Sequence, residues 1–197
     1  MTKTISRLYD SYSQAQAAVR SLEQAGFNKS EVSLVSRYRA DDTLVDDDAS
    51  GAATGATTGA AIGGGGGLLA ALGVIAIPGI GPLVAAGVLA TTLVGAAGGA
   101  AVGGLIGALT DVGVSEEDAH VYSEGVRRGS SLVTATTNEG RASEAQAILD
   151  SHHPVNIRER RDAYVAGGWS QHDPNAKGYS AEEIRSEREA YIRRGGI

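Results

Sequence analysis

The residues best placed to do chemistry sit on one predicted helix. Glu117 and His120 stand three apart, the spacing at which a carboxylate and an imidazole of one helix can reach the same metal ion. Glu116, His120 and Glu124 recur every fourth residue and share a face. Carboxylate-bridged di-iron chemistry needs two Glu-x-x-His motifs and further carboxylates. The chain has one such motif, so this face reads as solvated surface and no metal is assigned. His152-His153 falls at the end of another predicted helix, where imidazole can meet terminal carbonyls. Gly65-x-Gly67-x-x-Ala70 has the outline of a dinucleotide fingerprint. No strand is expected before it, however, and no acidic residue follows about 20 positions on. The chain has no cysteine, which excludes thiolate chemistry and disulfides. No nucleophile–base arrangement or carboxylate pair in a cleft can be picked out. Neither catalysis nor a cofactor is expected.

The elements around these residues carry more information. From Ala49 to Thr110 there is no charged residue, and glycines recur there every fourth position. Gly51, Gly55, Gly59, Gly63 and Gly67 form one series; Gly95, Gly99, Gly103 and Gly107 form a second, with Gly87 in frame. On a helix this spacing aligns the glycines on nearly one face, and a face without side chains admits another helix backbone at close range. Each glycine costs a helix about 1 kcal/mol against alanine, so such helices need close packing to form. A flexible linker would be polar, whereas this stretch holds Leu68, Leu69, Leu72, Val84, Leu89, Leu93 and Leu105 among other aliphatics.

Pro78-Gly79-Ile80-Gly81-Pro82 is the strong breaker near the middle of the stretch. It predicts an antiparallel helical hairpin with arms Gly51–Ile77 and Pro82–Leu109, each ~40 Å long at 1.5 Å per residue. Two settings suit such a hairpin. In one, the apolar rods of several copies bundle into a homo-oligomer, because a surface of this kind is not left exposed on a monomer. In the other, the hairpin enters lipid, since both arms exceed the ~20 residues a span requires. No Lys or Arg cluster flanks either arm to orient a two-span topology.

The flanks read as one interrupted α+β domain. Residues 3–9 and 32–38 predict strands joined by a helix that Ser11 and Gln14 open as a capping box, giving a parallel β-α-β unit. After the apolar stretch come a helix capped by Ser115, a strand at 130–137, a helix at 139–150 and a short strand at 155–160. The fold class is α+β: a ferredoxin-like sandwich interrupted by a long glycine-zipper antiparallel helical hairpin, followed by a tail with a short helix. The segments are 1–48, 49–113, 114–161 and a polar tail, 162–197. In that tail Ser180 and Glu183 form a second capping box, and Ala181, Ile184 and Tyr191 make a narrow apolar stripe that must dock on its own domain or a neighbouring subunit. Arg158, Arg160 and Arg161 form a small basic cluster read as solvated.

Net charge is −6, and acidic residues crowd both ends of the apolar stretch (Asp46, Asp47, Asp48; Asp111, Glu116, Glu117). Such a surface repels phosphate backbones, which argues against nucleic acid as a partner. The polar amino terminus lacks an apolar signal core, which points to the cytoplasm, with membrane association as the alternative.

The segments TKTISRLYDSYSQAQAAVRSLEQAGF, IPGIGPLVAAG and ALTDVGVSEEDAHVYSEGVRRGSSLV resemble bacterial general stress proteins with a heat-induced stress protein domain, over roughly residues 1–160. The resemblance implies expression under stress and a cytosolic or membrane-associated location; it implies no activity. Three functions follow as expectations. The first is a non-enzymatic protein that self-assembles through glycine-faced hairpins. The second is a membrane-anchored protein using the same hairpin, and the third is a small-ligand or metal module on the α+β domain.

Overall fold

The computed structural model describes residues 2–38, 73–77, 80–97, 104–173, 176 and 178–193. The first half builds as its sequence pattern predicts. Strand β1 (Thr2–Tyr9) leads to helix α1 (Tyr12–Gln24) and strand β2 (Val32–Ser36). Ser11 caps α1 by accepting the Gln14 N–H at 3.2 Å, while its hydroxyl donates to Gln14 Oε1 at 2.9 Å. The capping box is therefore closed from the hydroxyl rather than from the Ser11 backbone.

The described residues around Pro78–Pro82 are not the helical hairpin expected there, and residues 51–72 of its first arm lie outside the described residues. Residues on both sides of the turn are strands, β3 (Gly73–Ile77) and β4 (Gly81–Ala86), paired antiparallel from Gly73↔Ala85 to Ile77↔Gly81. The physical reason lies in the short runs GVIAI and GPLVAA. Each has strand length and is rich in aliphatic side chains, and an unbroken apolar run has no period to separate strand from helix. Ile80 is the buried turn residue; Gly81 and Pro82 open β4, and Pro78 and Gly79 lie outside the described residues. Pro82 is tolerated at a strand start, where it faces Ala76 and lies beyond the register in which β2 pairs with β4. Helix structure resumes as α2 (Val88–Ala97) and α3 (Gly104–Asp111), so the described residues of the second predicted arm form a strand and two helices.

Helix α4 (Glu116–Arg127) then starts at Ser115, whose hydroxyl accepts the Asp118 N–H at 3.2 Å. Glu116, Glu117 and Asp118 occupy its first turn and Arg127 its last, the order that suits the helix dipole. Strand β5 (Ser131–Asn138) and helix α5 (Glu139–Asp150) follow. The strand expected at 155–160 is instead the start of helix α6 (Ile157–Ala166). Asn156 decides this locally: its side chain accepts from the Arg158 and Glu159 N–H groups, and the polar run that follows has no alternation to feed a sheet. Helix α7 (Ala181–Arg193) ends the described chain. Its Ser180–Glu183 capping box is fully reciprocal, with Ser180 N–H to Glu183 Oε2 at 2.7 Å and Glu183 N–H to Ser180 Oγ at 3.3 Å.

The result is a mixed α+β fold on one sheet of order β1-β5-β2-β4-β3, every neighbouring pair antiparallel. β1 and β2 run parallel, as the β-α-β pattern implies, but β5 lies between them. The sheet departs from the ferredoxin-like expectation because its last two strands come from within the apolar stretch, not from residues 155–160. Period-two alternation sends Ile5, Tyr9, Leu34, Val133 and Ala135 to the face covered by α1 and α5. Leu8, Val35, Ala85 and Leu132 face α2, α3 and α4. At the junction of β4 and α2, Gly87 has φ +83°, and a Cβ there would stand 2.0 Å from the Val32 carbonyl oxygen. This glycine is a corner against β2, not a position on a helix stripe.

Candidate functional site

The most concentrated charge chemistry in the described residues lies where the C-terminal segment crosses the end of α4. The Glu124 side chain is 0% exposed. It accepts Arg127 Nη1 at 3.0 Å and 3.2 Å and Arg128 Nε at 2.6 Å. Nδ1 of His172, itself 5% exposed, stands 3.3 Å from Glu124 Oε2. The His172 backbone N–H donates to His120 Nδ1 at 3.3 Å. Burial pushes the Glu124 carboxyl up, but hydrogen bonds from His172 and Arg128 and the two guanidinium charges outweigh it and hold the group at about 2. The expected solvated face on α4 is therefore corrected at Glu124, where the sequence placed a surface carboxylate and the fold buries it. Once α4 packs on the sheet, the C-terminal segment lies over this turn, a contact more than 40 residues distant that helix periodicity cannot reveal.

Arg128 extends the cluster outward. It ion-pairs with Glu187 of α7, and its guanidinium lies 4.3 Å from the Tyr164 ring centroid and 5.2 Å from that of Tyr179. Arg127 sits 4.6 Å over Tyr179. Arg37, at the end of β2, donates to the carbonyls of Arg127 at 3.2 Å and Tyr179 at 2.6 Å. Between these polar contacts Ile184 is 1% exposed and joins the core beside Tyr38. Gly129 makes room for it: a Cβ there would lie 2.5 Å from Ile184 Cγ2. Of the predicted apolar stripe, Ile184 is the anchor and Ala181 is exposed. Ile184 thus docks on its own domain, and the side chain of Tyr191 lies outside the described residues.

Comparisons with known proteins supply no relative. No protein-family model, curated protein or solved structure matches this chain. The site must speak through its own geometry. A general base works best with a pKa near the operating pH and with access to a substrate proton. Glu124 has neither property, being held ionised by two arginines and sealed from solvent. Its arrangement is that of an ionic fastening between a helix end and a later segment.

The remaining candidate residues are dispersed. His120 is a hydrogen-bond acceptor for the His172 backbone, and no group of three His, Asp or Glu side chains converges as a metal site among the described residues. His152 Nε2 lies 2.9 Å from Ser21 Oγ, and His153 holds a left-handed turn at φ +53°. Arg160, expected in solvent, is buried and binds Asp10 through Nη2 at 2.6 Å and 2.9 Å, while Arg161 pairs with Glu117. Gly95 lies in α2 and Gly107 in α3. Gly51, Gly55, Gly59, Gly63, Gly67, Gly99 and Gly103 lie outside the described residues.

Proposed function

We propose that this chain is a non-enzymatic, stress-associated protein that assembles with copies of itself through its uncharged glycine-repeat stretch. The observation carrying the reading is that 49–110 combines complete absence of charge with glycine at four-residue spacing. The stress association rests on the resemblance of its segments to general stress proteins. The described part of the stretch adds support. β3 ends the sheet, pairs among the described residues with β4 alone, and reads GVIAI, without the charge or proline that guards an exposed edge. The opposite edge, β1, carries Lys3 and Arg7.

Membrane anchoring is the second reading. No helix among the described residues is long and apolar enough to cross a membrane. Density-gradient fractionation of a native lysate without detergent separates the two. A fast-sedimenting, lipid-free particle supports self-assembly, and co-migration with membranes supports anchoring. A Gly63→Leu chain, in which a side chain blocks backbone approach, is expected to shift toward the light fractions. An unchanged large particle in that variant contradicts the packing argument.

A further inference from the structure

We propose that His120 is a proton-sensitive catch: its neutral ring holds the C-terminal segment at His172, and protonation of that ring in mild acid releases it. The catch works within a single chain, independent of self-association.

The direction follows from which atom accepts. The His172 backbone N–H donates to His120 Nδ1 at 3.3 Å. An imidazole nitrogen that accepts carries no proton, so the ring proton sits on Nε2. In the cation both ring nitrogens are donors, and Nδ1 then faces another donor. His172 is buried, so its released amide has little water to turn to. His120 is only half-buried and can exchange protons with solvent. Histidine is the side chain that changes charge between about pH 5 and 8.

His172 responds to acid with the opposite sign, but weakly. Its Nδ1 stands 3.3 Å from Glu124 Oε2, and a positive imidazole favours that contact. Arg127 and Arg128 already supply this carboxylate with two positive charges, so a third cation there gains little. A donor facing a donor at His120 loses its whole bond. The held state excludes a proton from Nδ1, so the hold is complete above the histidine range and fades as pH falls through it.

The charged groups around His120 are matched elsewhere or exposed. Within a turn of it, α4 carries Glu116, which is exposed, Glu117, which pairs with Arg161 of α6, and Glu124. On α6, Arg160 turns to Asp10, while Arg158, Glu159 and Asp162 are exposed. β5 has no charged residue, and α3 has only the exposed Asp111. On β1, Arg7 turns to Asp150 and Lys3 is exposed. The segment itself brings His172 and, next to it, Asp173.

Amide exchange between about pH 7.5 and pH 5 tests the catch, in a window above the ordinary carboxylate range. In the full-length chain the protection factor of the His172 amide is expected to fall about tenfold across it. The Trp169 amide, held by the Tyr164 carbonyl at 3.0 Å, is expected to keep its protection, which marks the release as local. His120→Asn places an amide oxygen where Nδ1 stands and takes up no proton, so its His172 amide is expected to stay protected throughout. The proposal is overturned by a wild-type His172 amide equally protected at both ends of the window, or by a fall that Trp169 shares equally. A His120→Asn chain that loses protection as the wild type does also overturns it. Ring nitrogen chemical shifts of wild-type His120 test the tautomer without any variant. A proton on Nε2 is expected at the neutral end of the window, and a proton on Nδ1 overturns the catch.

Discussion

Nδ1 of His172 lies 3.3 Å from Oε2 of Glu124, across 48 residues of sequence, and joins the connector before α7 to the last turns of α4. With Arg127 and Arg128 on the same carboxylate, this contact turns a helix end into an anchorage. Glu124 is held at about 2, below the ordinary glutamate value of 4.5, so the ionised form favours the folded chain above pH 4.5. That contribution fades as pH falls from 4.5 toward 2. Replacing Glu124 with Gln leaves two partly buried arginines short of their counter-charge and is expected to cost about 3 kcal/mol at pH 7. Urea unfolding as a function of pH should show the two proteins converging between pH 4.5 and 2. Parallel profiles throughout that window would contradict the role given to the carboxylate.

Gly87 and Gly26 share nearly the same backbone angle, φ +83° and +84°, and differ in surroundings. A Cβ on Gly87 meets the Val32 carbonyl at 2.0 Å, while one on Gly26 meets nothing within 4 Å. Gly26→Ala should therefore cost about 1 kcal/mol, the conformational penalty alone. Gly87→Ala adds a backbone collision and should cost at least about 3 kcal/mol. Chemical denaturation of the pair tests whether this corner, rather than a helix stripe, accounts for Gly87.

Arg160 and Asp10 tie α6 to the loop after β1, with Ser130 Oγ donating to Asp10 at 3.2 Å. Asp10 is partly exposed, so the pair is worth less than a fully buried one. Arg160→Ala is expected to destabilise the chain by about 2 kcal/mol and to raise amide exchange in α6 before α1. Equal loss of protection in both helices would show that the pair does not act locally.

How legible this fold was depends on whether the deciding forces were local. α1, α4, β5 and α5 announce themselves through Ser11, Ser115 and Asn138 as caps and through helix or strand periodicity, all within a few residues. The order of the sheet was not legible, because the placement of β5 between β1 and β2 comes from pairings more than 90 residues apart. Residues 73–86 were misread because Val74, Ile75, Ile77 and Val84 supply apolar mass without a period. Glycine spacing drew the reading to a helix, while pairing with β2 makes β4 part of the sheet. Residues 155–160 were misread from Val155 and Ile157, although Asn156 between them is a helix cap. The ionic anchorage was partly visible: Glu124, Arg127 and Arg128 sit at helix-neighbour spacing, but their burial follows from a tail whose docking no local pattern encodes.

The central claim is that the uncharged stretch brings copies together, and sedimentation velocity of the purified full-length chain in detergent-free buffer reads it most directly. The account predicts a discrete species several times the chain mass, reduced toward the single-chain value by Gly63→Leu. A wild-type chain that sediments as a stable monomer across the accessible concentration range would contradict it.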